Sequence, residues 1–190
     1  MSQSMVTIDA SGSGLLEVSA VGFQRAILMH GHPDADVSTL ADGETLTLVA
    51  SGVTIDRPAA KLPTFMFGLT EFSEIGKSAV KLGGQLLLNE KGDVLLDDQA
   101  FELGKAVDTG FDVGETFDFR IEINRNEDGT YDVTSTVGEA TLQTAKGIAV
   151  ASTAALFVQS QGRGKEAPGK VTIETVSIGE PPSNEVAEPE

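Results

Sequence analysis

Phe117-Asp118-Phe119-Arg120-Ile121-Glu122-Ile123, the turn Asn126-Glu127-Asp128-Gly129 and the return Thr130-Tyr131-Asp132-Val133-Thr134 decide the fold class. Successive side chains of a strand point to opposite faces. Phe117, Phe119, Ile121 and Ile123 therefore share one side, and Asp118, Arg120 and Glu122 the other. An Asp-Gly turn between two such runs is a strong hairpin signal. The segment reads as an antiparallel sheet with one buried and one wet face.

The same pattern extends outward. Strands are expected at 6–9, 15–21, 24–30, 45–51, 64–70, 85–89, 93–96, 116–124, 130–137, 154–159 and 170–178, with Ser11-Gly12-Ser13-Gly14, Asp42-Gly43, Gly83-Gly84, Lys91-Gly92-Asp93 and Gly162-Arg163-Gly164 as breakers. Asn89-Glu90-Lys91-Gly92-Asp93 predicts a second tight hairpin. Val171 and Ile173 change phase against Val176 and Ile178, which predicts a bulge near Glu174–Thr175. A short helix is expected from a Ser73 cap through Lys81. Crossover helices of usable length are missing, which argues against a parallel α/β sheet. The reading is one all-β domain over 1–179, a two-sheet antiparallel β-sandwich of jelly-roll type, followed by a flexible, acidic, proline-rich tail at 180–190.

Charge excludes some partners. Across 190 residues, 13 Lys and Arg stand against 29 Asp and Glu, a formal net charge of −16. Such a surface repels nucleic-acid phosphates and anionic membranes. There is no cysteine, so disulfides, thiolate metal sites and a cysteine nucleophile are excluded. Residues 1–9 carry neither a basic start nor a long apolar run, so a cytoplasmic or virion-associated location is expected. The longest weakly polar stretch, 148–158, falls short of the roughly 20 residues that span a bilayer.

From about Leu62 the order of pieces is distinctive. Phe65-Met66-Phe67-Gly68-Leu69 leads to a hairpin from Leu86 to Leu96; then come Gly114-Glu115-Thr116-Phe117, the Asp128-Gly129-Thr130-Tyr131 return, Ala155-Leu156-Phe157-Val158 and the closing Val171-Thr172-Ile173-Glu174-Thr175-Val176-Ser177-Ile178. Over residues 62–179 this resembles the C-terminal half of concanavalin A-like (laminin-G-like) β-sandwich domains. The resemblance implies the fold. It leaves open lectins, glycan-degrading enzymes and structural viral or adhesive modules.

Each candidate site has a plainer reading beside it. His30-Gly31-His32-Pro33-Asp34-Ala35-Asp36 gathers both histidines and two carboxylates, which suits an N/O metal site. Its start looks like the H-x-H-x-D-H motif of metallo-β-lactamase-type hydrolases, but Ala35 stands where the third histidine belongs. A polar loop leaving a strand accounts for the same residues. Asn124 to Gly129 matches half of a calcium loop, with Asp128 and Asp132 as cation candidates; Ser135 occupies the twelfth position, where an EF-hand needs a carboxylate. Asx residues in a β-turn explain the same letters. Asp97 and Asp98 are adjacent and point to opposite faces.

Glycosidases of the resembled superfamily carry an E-x-D-x-x-E strand. Asp118 with Glu122, and Glu122 with Asn124, lack its second acid, and such work needs carboxylates roughly 5–9.5 Å apart. Lyases of this shape use Tyr or His with Arg and Gln, and Tyr131 is the only tyrosine. Sugar sites favour Trp and Tyr platforms, yet this chain has no Trp and nine Phe, of which Phe65, Phe67, Phe117, Phe119 and Phe157 are expected inside. Arg120 between Asp118 and Glu122 offers polar contacts to hydroxyls, or simply a solvated face.

The resulting expectation is a non-catalytic structural or interaction module, such as a virion surface or tail component, with a protein partner or a second copy of itself. No catalytic, metal or cofactor residues are assigned. The alternative is a carbohydrate-binding or polysaccharide-cleaving concanavalin A-like domain. A glycan binder should show a concave sheet face with an exposed Phe or Tyr131; an assembly module should show an apolar patch or an uncovered strand edge.

Overall fold

The computed structural model describes residues 16–20, 25–31, 36–56, 64–70, 82–98, 106–150, 155–161 and 169–179. The expected strand at 6–9, the helix at 73–81 and the tail at 180–190 lie outside them.

Strand β1 is Leu16–Ala20, β2 Arg25–Gly31, β3 Thr45–Asp56, β4 Thr64–Thr70, β5 Leu82–Leu88, β6 Asp93–Asp97 and β7 Val107–Asp112. Strand β8 is Thr116–Arg125, β9 Tyr131–Val137, β10 Ala140–Ile148, β11 Ala155–Gln161, β12 Gly169–Ile173 and β13 Thr175–Ile178. They form a seven-stranded sheet ordered β1-β12-β3-β8-β9-β10, with β13 also on β3, and a six-stranded sheet ordered β2-β11-β4-β5-β6-β7. Neighbouring strands in both sheets run antiparallel. Among the described residues no helix is long and apolar enough to cross a membrane.

The opening hairpin is β8–β9, and its alternation holds: Phe117, Phe119, Ile121 and Ile123 are buried, while Asp118 is exposed. Their layer meets Phe65, Phe67, Leu69, Leu82, Leu86, Leu88, Val94 and Leu96 of the six-stranded sheet. The Phe119 ring lies 6.1 Å from Phe65 and 5.9 Å from Phe67, both tilted, a favoured aromatic geometry.

The predicted bulge is present and has a counterpart. Glu174 separates β12 from β13 and donates its N–H to the Ser51 carbonyl at 3.0 Å, opposite a register shift between Ala50 and Val53 of β3. Gly52, at φ 65°, occupies the shift, and a Cβ there would collide with the Glu174 side chain. Strand β3 thus continues through its bulge to Asp56, past the expected end at Ser51.

Three features depart from the sequence reading. Strands β7 and β10 were not expected, because β7 is short and β10 has a broken pattern. β10 shifts register between Gln143 and Ala145 and again before Ile148, which destroys a period of two. β7 alternates Asp108, Gly110 and Asp112 with Val107, Thr109 and Phe111 over only 6 residues. Both are edge strands, where bulges and charge block pairing with another chain. Third, Gly83-Gly84 is not a breaker but the inside of β5.

The reason is a contact between sheets. Gly84 faces the core, and a Cβ there would strike the Ser135 hydroxyl and lie 3.1 Å from the Phe119 ring. Thr144 Oγ1 donates to the Gly83 carbonyl at 2.8 Å, committing its only proton, so Ser135 Oγ donates to Thr144 Oγ1 at 2.9 Å. This buried chain of hydroxyls ties β9 and β10 to β5 across the sandwich. Thr144→Val should leave the Ser135 hydroxyl without this acceptor and remove a donor from Gly83, costing about 1–3 kcal/mol in urea unfolding. A change within a few tenths of a kcal/mol would show that the chain carries no weight.

Candidate functional site

The two sheets present very different outer faces. On the seven-stranded sheet, Arg120 donates from Nε and Nη2 to Glu122 Oε1 at 3.0 and 2.9 Å and reaches Thr47 Oγ1 at 3.4 Å. Their side chains are 40% and 42% exposed, a solvated pair that contributes little. Asp118 Oδ1 accepts from the Gly52 N–H at 3.1 Å and so serves the β3 bulge. The Arg120 patch is a wet face engaged with itself.

The calcium-like loop is a β-turn closed by the Gly129 N–H on the Asn126 carbonyl at 2.9 Å. Asp128 Oδ1 accepts from Thr130 Oγ1 at 2.6 Å and Thr130 N at 2.9 Å, which holds its carboxyl below the ordinary range. Asp132 Oδ1 accepts from the Gly147 N–H at 2.8 Å and Asn126 Nδ2 at 3.1 Å. These bonds, the Gly147 amide first, lower its pKa too. N–H and O–H donors thus engage Asp128 Oδ1 and both carboxylate oxygens of Asp132. Among the described residues, no three His, Asp or Glu are placed to hold a metal.

His30 sits within β2 opposite Leu156, while His32 and Asp34 lie outside the described residues. Asp36 Oδ1 caps the 3-10 turn Val37–Thr39, accepting from Ser38 N at 3.0 Å and Ser38 Oγ at 2.6 Å. Tyr131, offered as an exposed platform, is buried at 3% exposure and donates its hydroxyl to the Val37 carbonyl at 3.1 Å. The core gained more from its ring than solvent would. Phe65, Phe67, Phe117 and Phe119 are core residues; Phe157 stands opposite Gly68, its side chain outside the description.

The six-stranded sheet carries the unexpected feature. Antiparallel sheets usually leave one face wet, yet all seven residues of β5 are buried. Register pairs Met66 with Gln85 and Gln85 with Asp97, and the next row pairs Gly68 with Gly83. Since Phe67, Gly84, Leu86 and Leu96 belong to the core side, these rows lie on the outer face. Met66, Thr70, Gln85, Leu87 and Asp97 there are all less than 5% exposed. Gln85 Nε2 donates to Asp97 Oδ2 at 3.0 Å and to the Asp98 carbonyl at 2.9 Å, and Gln85 Oε1 is buried without a donor. Asp98 itself is half-buried just beyond β6.

A buried acceptor without a donor costs about 1–3 kcal/mol, so the position calls for an explanation. The Gly68–Gly83 pair beside it carries no side chains, is itself buried, and Gly68 holds φ 154°. Polar groups set in an apolar lining are the usual make-up of a ligand site. In the sequence Asp97 stands out only through its neighbour Asp98. Gln85 was passed over; its signal was a lone polar residue in the apolar run Leu82-Gly83-Gly84-Gln85-Leu86-Leu87-Leu88.

By sequence, the chain matches no known protein family and no curated protein. Solved structures do resemble it. Alginate lyase Aly36B in complex with alginate trisaccharide is 13% identical, with 91% of this chain and 86% of that one covered at a TM-score of 0.51. Alginate lyase PA1167 from Pseudomonas aeruginosa is 11% identical over 90% and 84%, also at 0.51. The Emp47p carbohydrate recognition domain is 12% identical over 89% and 80%, at 0.47. The chain has the concanavalin A-like β-sandwich fold. At these identities the likeness of this sandwich to them is one of fold.

Within the concanavalin A-like sandwich, the Asp132 contacts set a pH dependence. Asp128 and Asp132 have folded pKa values below the ordinary 3.8, so the folded state binds fewer protons than the unfolded chain. Their contribution is complete above that value and is lost as pH falls through the lowered ones. Asp132→Asn should therefore be less stable than the parent at about pH 7, with the gap narrowing as pH falls below 3.8. A gap of constant size across thermal melts at both pH values would refute this.

Proposed function

We propose that this protein is a carbohydrate-binding domain, with the buried Gln85 of the six-stranded sheet as its candidate polar contact. The observation that carries the reading is the buried Gln85 Oε1 without a donor, set among Met66, Leu87 and Thr70 beside two glycines. A sugar hydroxyl supplies the donor this oxygen lacks. The apolar surroundings strengthen that bond by excluding water.

Tyr131, Phe65, Phe67, Phe117 and Phe119 are buried, so none of them is the exposed platform expected of a glycan binder, and the assembly reading finds little support at two of the sheet edges. At β7 and β10 the edges carry bulges, positive-φ Gly110 and Gly147, and exposed Asp108 and Asp112, features that oppose strand addition. A tyrosine-dependent lyase is also disfavoured, because the chain's single tyrosine spends its hydroxyl on Val37 in the core.

A glycan array followed by calorimetric titration tests the proposal. The parent should bind at least one oligosaccharide. Gln85→Met should weaken it about tenfold or more, close to 1.4 kcal/mol. Arg120→Ala, on the opposite outer face, should bind as the parent does. Absence of glycan binding together with mass that rises with concentration would restore the assembly reading.

A further inference from the structure

The sequence holds two Asp-Gly steps, Asp42–Gly43 and Asp128–Gly129. We infer that Asp42 is the modification site at which the folded chain converts aspartate to isoaspartate, and that Thr130 holds Asp128 against the same reaction. In this reaction the glycine amide nitrogen attacks the protonated carboxyl of the preceding aspartate. A C–N bond forms as the carboxyl C–OH bond breaks, and the hydroxyl leaves with the amide proton as water. Water then reopens the five-membered imide. Entry at the side-chain carbonyl restores aspartate, whereas entry at the main-chain carbonyl leaves the backbone running through the side chain. Glycine favours the attack because it carries no Cβ beside the nitrogen.

The two steps are matched in most respects. Gly43 and Gly129 hold φ 80° and 78°, and each has open space where a Cβ would stand. Each amide donates to a main-chain carbonyl, Gly43 to Arg125 at 2.8 Å and Gly129 to Asn126 at 2.9 Å. The carboxylates differ. Asp128 Oδ1 accepts from Thr130 Oγ1 at 2.6 Å and from Thr130 N at 2.9 Å. Swinging the carboxyl carbon onto the Gly129 nitrogen breaks both bonds, and the same bonds keep the carboxylate in its ionised, unreactive form. Asp42, its side chain 56% exposed, has among the described residues one partner, Arg125 Nε at 3.2 Å. Such a solvated pair restrains little. Isoaspartate at 42 adds one carbon to the backbone and displaces the Gly43 amide from Arg125, beside the Thr45–Asn124 pair that opens the β3–β8 ladder.

The test incubates the parent protein near neutral pH, folded and, in parallel, unfolded in urea. Isoaspartate at each position is followed by peptide mapping with a protease that cleaves before aspartate but not before isoaspartate. In the folded protein Asp42 should convert about tenfold faster than Asp128, the worth of a lost charge-assisted bond. In urea the two rates should come together. Asp128 keeping pace with Asp42 in the folded protein would overturn the inference. An imbalance of the same size in urea would do so too, since the cause would then lie in the flanking residues and not in the fold. Thr130→Val removes the hydroxyl donor and keeps the amide; it should speed conversion at Asp128 several-fold and leave Asp42 unchanged. An unchanged rate at Asp128 in the folded variant would overturn the part given to Thr130. Should the variant not fold, the folded-to-unfolded ratios at the two positions of the parent decide.

Discussion

The sandwich is held to its spacing by one place where a side chain is missing. At Gly84 the inner face of the six-stranded sheet meets Ser135 and Phe119 of the other sheet with no room for even a methyl group. Hydroxyls run through that gap from Ser135 to Thr144 to the Gly83 carbonyl. Polar groups in a core are costly unless every member is satisfied, and this chain uses each proton once. Around it the aromatic pair contacts of Phe119 with Phe65 and Phe67 fall into place. Remote positions such as the bulge at Gly52 then follow as adjustments that keep β3 in register with three neighbours.

The contrast between outer faces is where structure turns towards function. One is a sheet of threonines, acids and Arg120 that water can solvate without help. The other places an amide and a carboxylate side by side among apolar neighbours, less than 5% exposed. Polar groups in the first position need no explanation, whereas those in the second do. Tyr131, the aromatic with a polar tip, is spent elsewhere, pinning the Val37 turn to β9.

Sequence reading went furthest where one face is wet and the other dry. The β8–β9 hairpin, the turn at Gly129 and the phase change at Glu174 were all legible because solvent imposes the period of two. Strands β7 and β10 were not, since bulges shift residues between faces and an edge needs no alternation. Gly83-Gly84 looked like a stop because a pair of glycines ordinarily marks a turn; only the opposing sheet reveals that the missing Cβ makes room for Ser135. Gln85 was hidden for a related reason. On a strand buried on both faces, periodicity carries no information about which polar residue matters.

The strand order also governs when the fold can form. Strand β1 pairs with β12, from Leu16 with Ile173 onward, and β2 pairs with β11, so the earliest described strands wait for nearly the last. During synthesis β3, β8 and β9 can assemble around a local hairpin while β1 and β2 remain without their ladder partners. Closing such distant pairings is entropically slow, and the waiting interval exposes unpaired backbone. A nascent chain of this topology is thus most vulnerable to misassembly late, when its interior is largely built and its first strands still lack a place.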